Sequence, residues 1–191
     1  MKKYALISLT DKNGVVELAR ALAGSRYQII STGNTARVIR ESGTDCIEMG
    51  EFTGFPEILG GRVKTLNPKV FGGILSRRDN PSDLAEMENH DLGSIDVVAV
   101  NLYDFSGAAS DENATVDQLI EKIDIGGVSL IRAAAKNHKY VTLLTSPSQY
   151  PEFLERLEKN ELDESYRAHL AVEGFKLTAQ YDTLISGTLE A

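Results

Sequence analysis

The sequence predicts an α/β fold, a mainly parallel sheet flanked by helices in three layers, formed as one domain over residues 1–191. Short apolar runs alternate with stretches whose apolar residues recur at helical spacing, which is the pattern of βαβ units. The breaks between them carry the Gly, Asn and Pro residues that stop helices. A chain of 191 residues with a 42% hydrophobic share can also bury a sizeable core.

The elements follow in order. "YALISL" (Tyr4 to Leu9) reads as a buried strand. "VVELARALA" places Val15, Leu18, Ala19 and Leu22 on one helical face. "YQIIS" is a second strand and "NTARVIRES" a second helix, stopped by Gly43 at a C′ position. "DCIEM" is a third short strand. This order argues for parallel strands joined by right-handed crossovers. Residues 50–78 break the rhythm, holding Gly54, Pro56, Gly60, Gly61, Pro68, Gly72 and Gly73 after the leading Gly50, and read as a long loop. Loops of that length in a compact domain are often functional. "DLAEMENH" is an exposed helix, and "IDVVAVNLY" is the most apolar strand, expected at the sheet's centre. "SGAASDENA" is a polar connection. "TVDQLIEKI" is a helix capped by Thr115, and a third helical pattern runs from Val128 to Lys136. "YVTLLT" is the last strand, and two helices close the chain.

Composition narrows the function. The net charge of −8 disfavours a nucleic-acid or anionic-membrane surface. A local cationic pocket in an acidic shell suits a small anion instead. One cysteine, Cys46, excludes an internal disulfide, and with three scattered histidines it gives no zinc-ligand spacing. The N-terminal apolar run is too short for a signal peptide, and nothing approaches the ~20 apolar residues of a membrane span. A cytoplasmic location is expected.

In an open parallel sheet, ligands bind beyond the carboxyl ends of the strands. After the first strand comes "SLTDK" (Ser8 to Lys12), and after the second "STGNT" (Ser31 to Thr35), which opens a helix. Hydroxyls and backbone N–H groups at a helix start favour an anion. A simple cap by Thr32 or Asn34, worth about 1 kcal/mol, accounts for the same turn. After the third strand, "GGRVKTLNP" sets Arg62 and Lys64 two residues apart, so that in an extended segment both point to one side. The glycines let the backbone come close to a ligand; two solvated charges in a surface loop is the bland alternative. "DIGG" puts Asp124 before a glycine pair at a helix start, where a capping role accounts for it equally. There is neither a Walker loop nor a GxGxxG fingerprint. Together these loops suggest a phosphate-monoester site.

The stretches "SLTDKNG", "STGNTA", "FTGFPEILGGRVKTLNPKVFGGIL", "NLYDF", "IDIGGVSLIRAAAKNH" and "TAQYD" resemble, in order and spacing, the inosine monophosphate cyclohydrolase domain. That domain is the N-terminal part of a bifunctional purine-biosynthesis protein whose second part is a transformylase. The resemblance covers nearly the whole chain. It implies a methylglyoxal-synthase-like fold, a homodimer, and dehydrative ring closure of 5-formamidoimidazole-4-carboxamide ribonucleotide to inosine monophosphate, with no metal or organic cofactor. The transformylase half is absent from these 191 residues, so the expectation is either a stand-alone cyclohydrolase working beside a separate transformylase or a domain excised from the bifunctional protein.

By similarity, Ser8, Lys12, Ser31, Thr32, Gly33, Asn34 and Thr35 hold the phosphate and ribose. Arg62, Lys64 and Thr65 line the nucleotide site, with Asn101, Gly126 and Gly127 completing it. Lys64, Tyr103, Asp124 and Lys136 match catalytic positions. The pattern departs at Asn34, where a Gly is usual, at Asn67 and Phe71, where a His is usual, and at Asp104, where a Pro is usual. Asn67 cannot act as an acid or base. A straight helix from Gly127 to Lys136 spans roughly 14 Å at ~1.5 Å per residue. Asp124 and Lys136 therefore meet only if the helix breaks, if the ligand lies between them, or if they come from different subunits. Two other readings share the phosphate loops: a methylglyoxal synthase-like lyase, and a regulatory module that binds a nucleotide without turnover.

Overall fold

The computed structural model describes residues 2–111 and 113–190. Glu112, in the polar connection, lies outside the described residues, as do Met1 and Ala191. Five strands, β1 (Lys3–Ser8), β2 (Gln28–Ser31), β3 (Ile47–Glu48), β4 (Ser94–Val100) and β5 (Thr142–Leu144), form one sheet in the order β3-β2-β1-β4-β5. Every pairing between them is parallel. All five predicted strands are present. β1 is the middle strand, and β4, expected there, lies beside it, paired on both edges.

Between β1 and β4 run α1 (Val15–Gly24), α2 (Gly33–Glu41), α3 (Met49–Thr53), α4 (Pro68–Leu75) and α5 (Pro81–Asn89). After β4 come α6 (Phe105–Ala109), α7 (Val116–Ile120) and α8 (Gly126–Lys136), and after β5 come α9 (Tyr150–Lys159) and α10 (Glu164–Leu189). None of the described helices is long and apolar enough to cross a membrane.

Strand alternation builds the layers. Along β1, Leu6 enters a core with α3, α4 and α8, while Ala5 and Ile7 enter a second core with α1, α2 and α9. Along β4, Val98 and Val100 face the first core and Val97 and Ala99 the second. Each fully buried Leu or Ile contributes roughly 1.5–3 kcal/mol. α10 reaches both cores, through Ala171 in one and Tyr166 and Leu170 in the other.

Residues 50–78, read as a long loop, contain α3, a 3-10 turn over Leu59–Gly61, and α4. α4 starts as a proline permits: Pro68 occupies the first turn, where no N–H is needed, and the Asn67 side chain accepts the Lys69 N–H at 2.8 Å. Asn67 thus serves as a helix cap. The polar connection after β4 likewise holds α6, capped by Asp104, which accepts the Gly107 N–H at 3.0 Å. Thr115 caps α7 in a full capping box with Gln118.

Candidate active site

β1 leads to α1 on one face of the sheet, and β4 leads through α6 and α7 to α8 on the other. The divergence opens a crevice at the carboxyl edge, where open parallel sheets bind ligands. The cleft measures about 890 Å³, a size typical of small-molecule sites at roughly 300–1,000 Å³.

Its first wall is a knot of side-chain hydrogen bonds among the segments after β1, β2 and β4. The Thr35 hydroxyl donates to the Leu9 carbonyl at 2.9 Å and accepts the Leu9 N–H at 3.2 Å. The Ser8 and Thr32 hydroxyls pair at 2.9 Å. Asn101 Oδ1 accepts the N–H groups of Thr10 (2.7 Å) and Asp11 (3.2 Å), and its Nδ2 donates to the Asp11 carbonyl at 2.9 Å. Asn101 is therefore a brace for the Lys12 loop. Thr32 occupies the N-cap of α2, but its hydroxyl turns to Ser8, and no side chain caps this helix. The dipole of α2 thus faces the cleft through Gly33 and Asn34. Gly33 sits at φ +40°, a conformation that suits glycine. Asn34 Oδ1 accepts Arg37 Nη2 at 2.7 Å, a local pair on the same helix.

The second wall is "GGRVKT" itself, folded as a tight hairpin. Ile58 and Val63 pair antiparallel, and Leu59, Gly60 and Gly61 have φ of 54°, 65° and 93°. The φ of 93° favours glycine at position 61, where a Cβ would meet only the mobile end of the Glu57 side chain. Lys64 Nζ pairs with Glu57 Oε2 at 2.8 Å, and Arg62 pairs with Glu121 of the segment after α7. The Lys64 ammonium also stands 3.7 Å from the Cβ position of Gly33. A cation and a helix N-terminus thus converge at one point of the cleft.

The floor between the walls is the turn that opens α8. Asp124 Oδ1 accepts the Gly127 N–H at 2.7 Å. Burial pushes the Asp124 carboxyl above the ordinary carboxylate range, against the opposing pull of the Gly127 and Tyr103 backbone N–H groups. A Cβ on Gly126 would come within 2.9 Å of Thr65 Oγ1, and one on Gly127 within 2.9 Å of Leu102 Cδ2. The glycine pair is needed for close packing of this turn against the hairpin and the segment after β4. Tyr103 borders the same cleft and is 56% exposed.

The structure brings together Ser8, Lys12, Thr32, Gly33, Asn34, Thr35, Arg62, Lys64, Thr65, Asn101, Tyr103, Asp124, Gly126 and Gly127. It does not bring Ser31 or Lys136. Ser31 is fully buried in β2, and its hydroxyl donates to the Ile7 carbonyl at 2.6 Å, so it belongs to the sheet beneath the cleft. Lys136 ends α8, which runs unbroken for 11 residues, and its side chain is exposed away from the cleft. Sequence reasoning missed Glu57 and Glu121, the carboxylates that neutralise the two hairpin cations. It also gave no role to Tyr181, whose "TAQYD" motif was the available signal.

The methylglyoxal-synthase-like ("MGS-like") domain family model matches residues 14–129. The chain belongs to the MGS-like domain family. Residues 134–191 match a second family, the AICARFT/IMPCHase bienzyme. The bifunctional purine biosynthesis protein PurH of Neisseria meningitidis is 48% identical over 189 residues, which is 98% of this chain and 36% of that protein. PurH of Persephonella marina is 48% identical over 190 residues, 99% of this chain and 37% of its own length. The chain thus spans little more than a third of the curated relatives it matches. The crystal structure of ForH superposes with a TM-score of 0.86 at 31% identity, covering 100% of this MGS-like chain and 97% of the other.

Proposed function

We propose that this MGS-like domain is an inosine monophosphate cyclohydrolase, closing 5-formamidoimidazole-4-carboxamide ribonucleotide to inosine monophosphate, the last step of purine synthesis. The observation that carries this reading is the meeting of three features in one cleft: the uncapped N-terminus of α2, the Lys64 ammonium beside it, and the half-buried carboxyl of Asp124. The likeness to PurH proteins supports it.

The chemistry is intramolecular. The carboxamide nitrogen attacks the formyl carbon, a C–N bond forms, and the former formyl oxygen leaves as water. The amide nitrogen is a poor nucleophile, so the cleft must hold the two groups together. It must also stabilise oxyanion character on the formyl oxygen, worth roughly 3–4 kcal/mol per well-placed donor. Protons must leave nitrogen and reach the departing oxygen. The first wall takes the phosphate and ribose through Ser8, Lys12 and the α2 turn. Ionised Asp124 accepts from the carboxamide N–H. Lys64, released from Glu57, donates toward the formyl oxygen, with Tyr103 beside it. Arg62 keeps its proton and serves to orient. Ring closure forms one C–N bond, dehydration breaks the former formyl C–O bond, and the remaining steps are proton transfers that side chains can carry.

Lys136 enters this scheme from a second copy of the chain, because its own helix carries it away from its own cleft. A homodimer with shared sites and a transformylase activity supplying the formamido nucleotide are parts of the proposal.

Spectroscopic assay of the purified protein with the formamido nucleotide tests the reading: inosine monophosphate should appear. Nucleotide binding without ring closure would retire it in favour of a regulatory module. Turnover of dihydroxyacetone phosphate instead would favour the methylglyoxal synthase-like lyase.

A further inference from the structure

The turn that carries Asp124 is tied to the last helix of the chain by one side chain. The Tyr181 hydroxyl accepts the Asp124 backbone N–H at 2.8 Å and donates to the Lys122 carbonyl at 3.3 Å. The Tyr181 ring, 7% exposed, packs edge-on against Phe105 of α6 with centroids 6.2 Å apart. One phenol therefore clamps both backbone groups that flank the turn between α7 and α8. From the other side the turn is closed by its own carboxylate, which holds the Gly127 N–H. Residues 122–127 are fixed at three points, the Lys122 carbonyl, the Asp124 N–H and the Gly127 N–H, and the first two are held from α10.

Tyr181 lies outside the region that matches the MGS-like family and inside the segment that matches the bienzyme family. α10 thus does more than fill the core with Ala171 and Leu170. It returns across α6 to the floor of the cleft.

We propose that Tyr181 is a positioning residue: its hydroxyl holds the Lys122–Gly127 turn so that the Asp124 carboxyl stays half-buried at the floor of the cleft. This rests on the cyclohydrolase reading for its effect on turnover, but its effect on Asp124 itself does not. The titratable residues beside the carboxyl are Tyr103 from the segment after β4 and Tyr181 from α10, and Asp182 faces the Tyr181 hydroxyl. Lys64, Arg62 and Glu121 line the same cleft. Burial also raises the Tyr181 hydroxyl above its ordinary range, so it keeps its proton wherever Asp124 titrates. Without the hydroxyl the ring still packs, but the Asp124 N–H loses its acceptor and the turn opens to water.

The test is Tyr181→Phe in the full chain, read in two ways. Asp124 titration is followed by carbon NMR on aspartate-labelled protein, with Asp124→Asn assigning the signal. Steady-state kinetics on the formamido nucleotide give kcat and KM separately. The inference expects a folded variant whose Asp124 titrates closer to an ordinary carboxylate. Its kcat should fall about tenfold to a hundredfold, as misplacement by an ångström can cause, with KM changed little. An unchanged Asp124 titration overturns it, whatever happens to kcat. A Tyr181→Phe chain that does not fold also overturns it, since the hydroxyl would then serve stability alone. Should the wild-type protein fail to turn over the nucleotide, the functional reading falls, and the NMR titration still decides the role of Tyr181.

Discussion

The two walls of the cleft are made by opposite means. The first wall is rigid before any ligand arrives: Thr32 and Thr35 are buried, and neutral hydrogen bonds knot three loops together. The second wall is an exposed hairpin with three successive residues at positive φ, one of them Leu59 at 69% exposure, held to its surroundings by ion pairs. A hydrogen bond such as the buried Thr35–Leu9 pair contributes about 0.5–1.5 kcal/mol and is costly to leave unmade. Exposed ion pairs are worth ~0–1 kcal/mol and yield readily. The contrast teaches where substrate is gripped and where the structure gives. Under the proposed function the first wall is a preformed cradle, and the hairpin cations, paired with Glu57 and Glu121, are the groups an anionic ligand would take over.

The largest effect expected is at the floor between the walls. Asp124→Asn removes the proton acceptor and should lower kcat by about 10²–10⁴-fold, the usual span for a general base, with nucleotide affinity nearly intact. The pH dependence has a defined sign. Burial raises the Asp124 carboxyl above its unfolded value, so the folded chain binds that proton more tightly than the unfolded one. Ionising Asp124 therefore opposes folding, and lowering the pH through its titration relieves that penalty. Activity runs the other way: turnover should fall as the pH drops through an inflection above the ordinary carboxylate range. A pH–rate profile of kcat checks it, and Asp124→Asn should lack that limb.

Next is the knot of the first wall. Thr35→Val leaves the Leu9 N–H and carbonyl without their partner, costing about 1–3 kcal/mol. Denaturant unfolding should show that loss, and nucleotide binding should weaken with it. Thr32→Ala spares the fold more and should mainly raise KM.

The smallest effect sharpens the comparison from the other side. Glu57→Gln frees Lys64 from its ion pair, so stability should shift by no more than ~1 kcal/mol, while affinity for a nucleoside monophosphate rises and becomes more salt-sensitive. Calorimetric titration at two ionic strengths checks this. Loss of affinity instead would mean that the pair aims Lys64 rather than restrains it.

The two walls also differed in how well they could be read from sequence. Strand runs such as Tyr4 to Leu9 and the helix Val15–Gly24 declare themselves through periodicity, and the first wall follows because its residues lie directly after strands. The second wall hid its structure. Gly and Pro density made residues 50–78 look like loop, although Asn67 before Pro68 is a helix-start signal by itself. Ser31 misled because a strand's last residue can point into the sheet as readily as into the cleft. Ion pairs such as Arg62–Glu121 join residues far apart in the chain and leave no local trace. The resemblance puts Lys136 at the site, but an unbroken helix carries it from the cleft. Mixing Lys136→Ala chains with Asp124→Ala chains tests whether it returns from a second copy: heterodimers with shared sites regain part of the activity, and heterodimers that stay inactive exclude that route.

The most direct measurement of the central claim is single-turnover ring closure of 5-formamidoimidazole-4-carboxamide ribonucleotide, with nucleotide binding measured on the same samples, for wild type, Thr32→Ala and Asp124→Asn. The account expects wild type to form inosine monophosphate, Thr32→Ala to bind weakly but close what it binds, and Asp124→Asn to bind normally and close slowly. Wild-type protein that binds the nucleotide without closing it, or variants in which binding and closure fall in proportion, would contradict it.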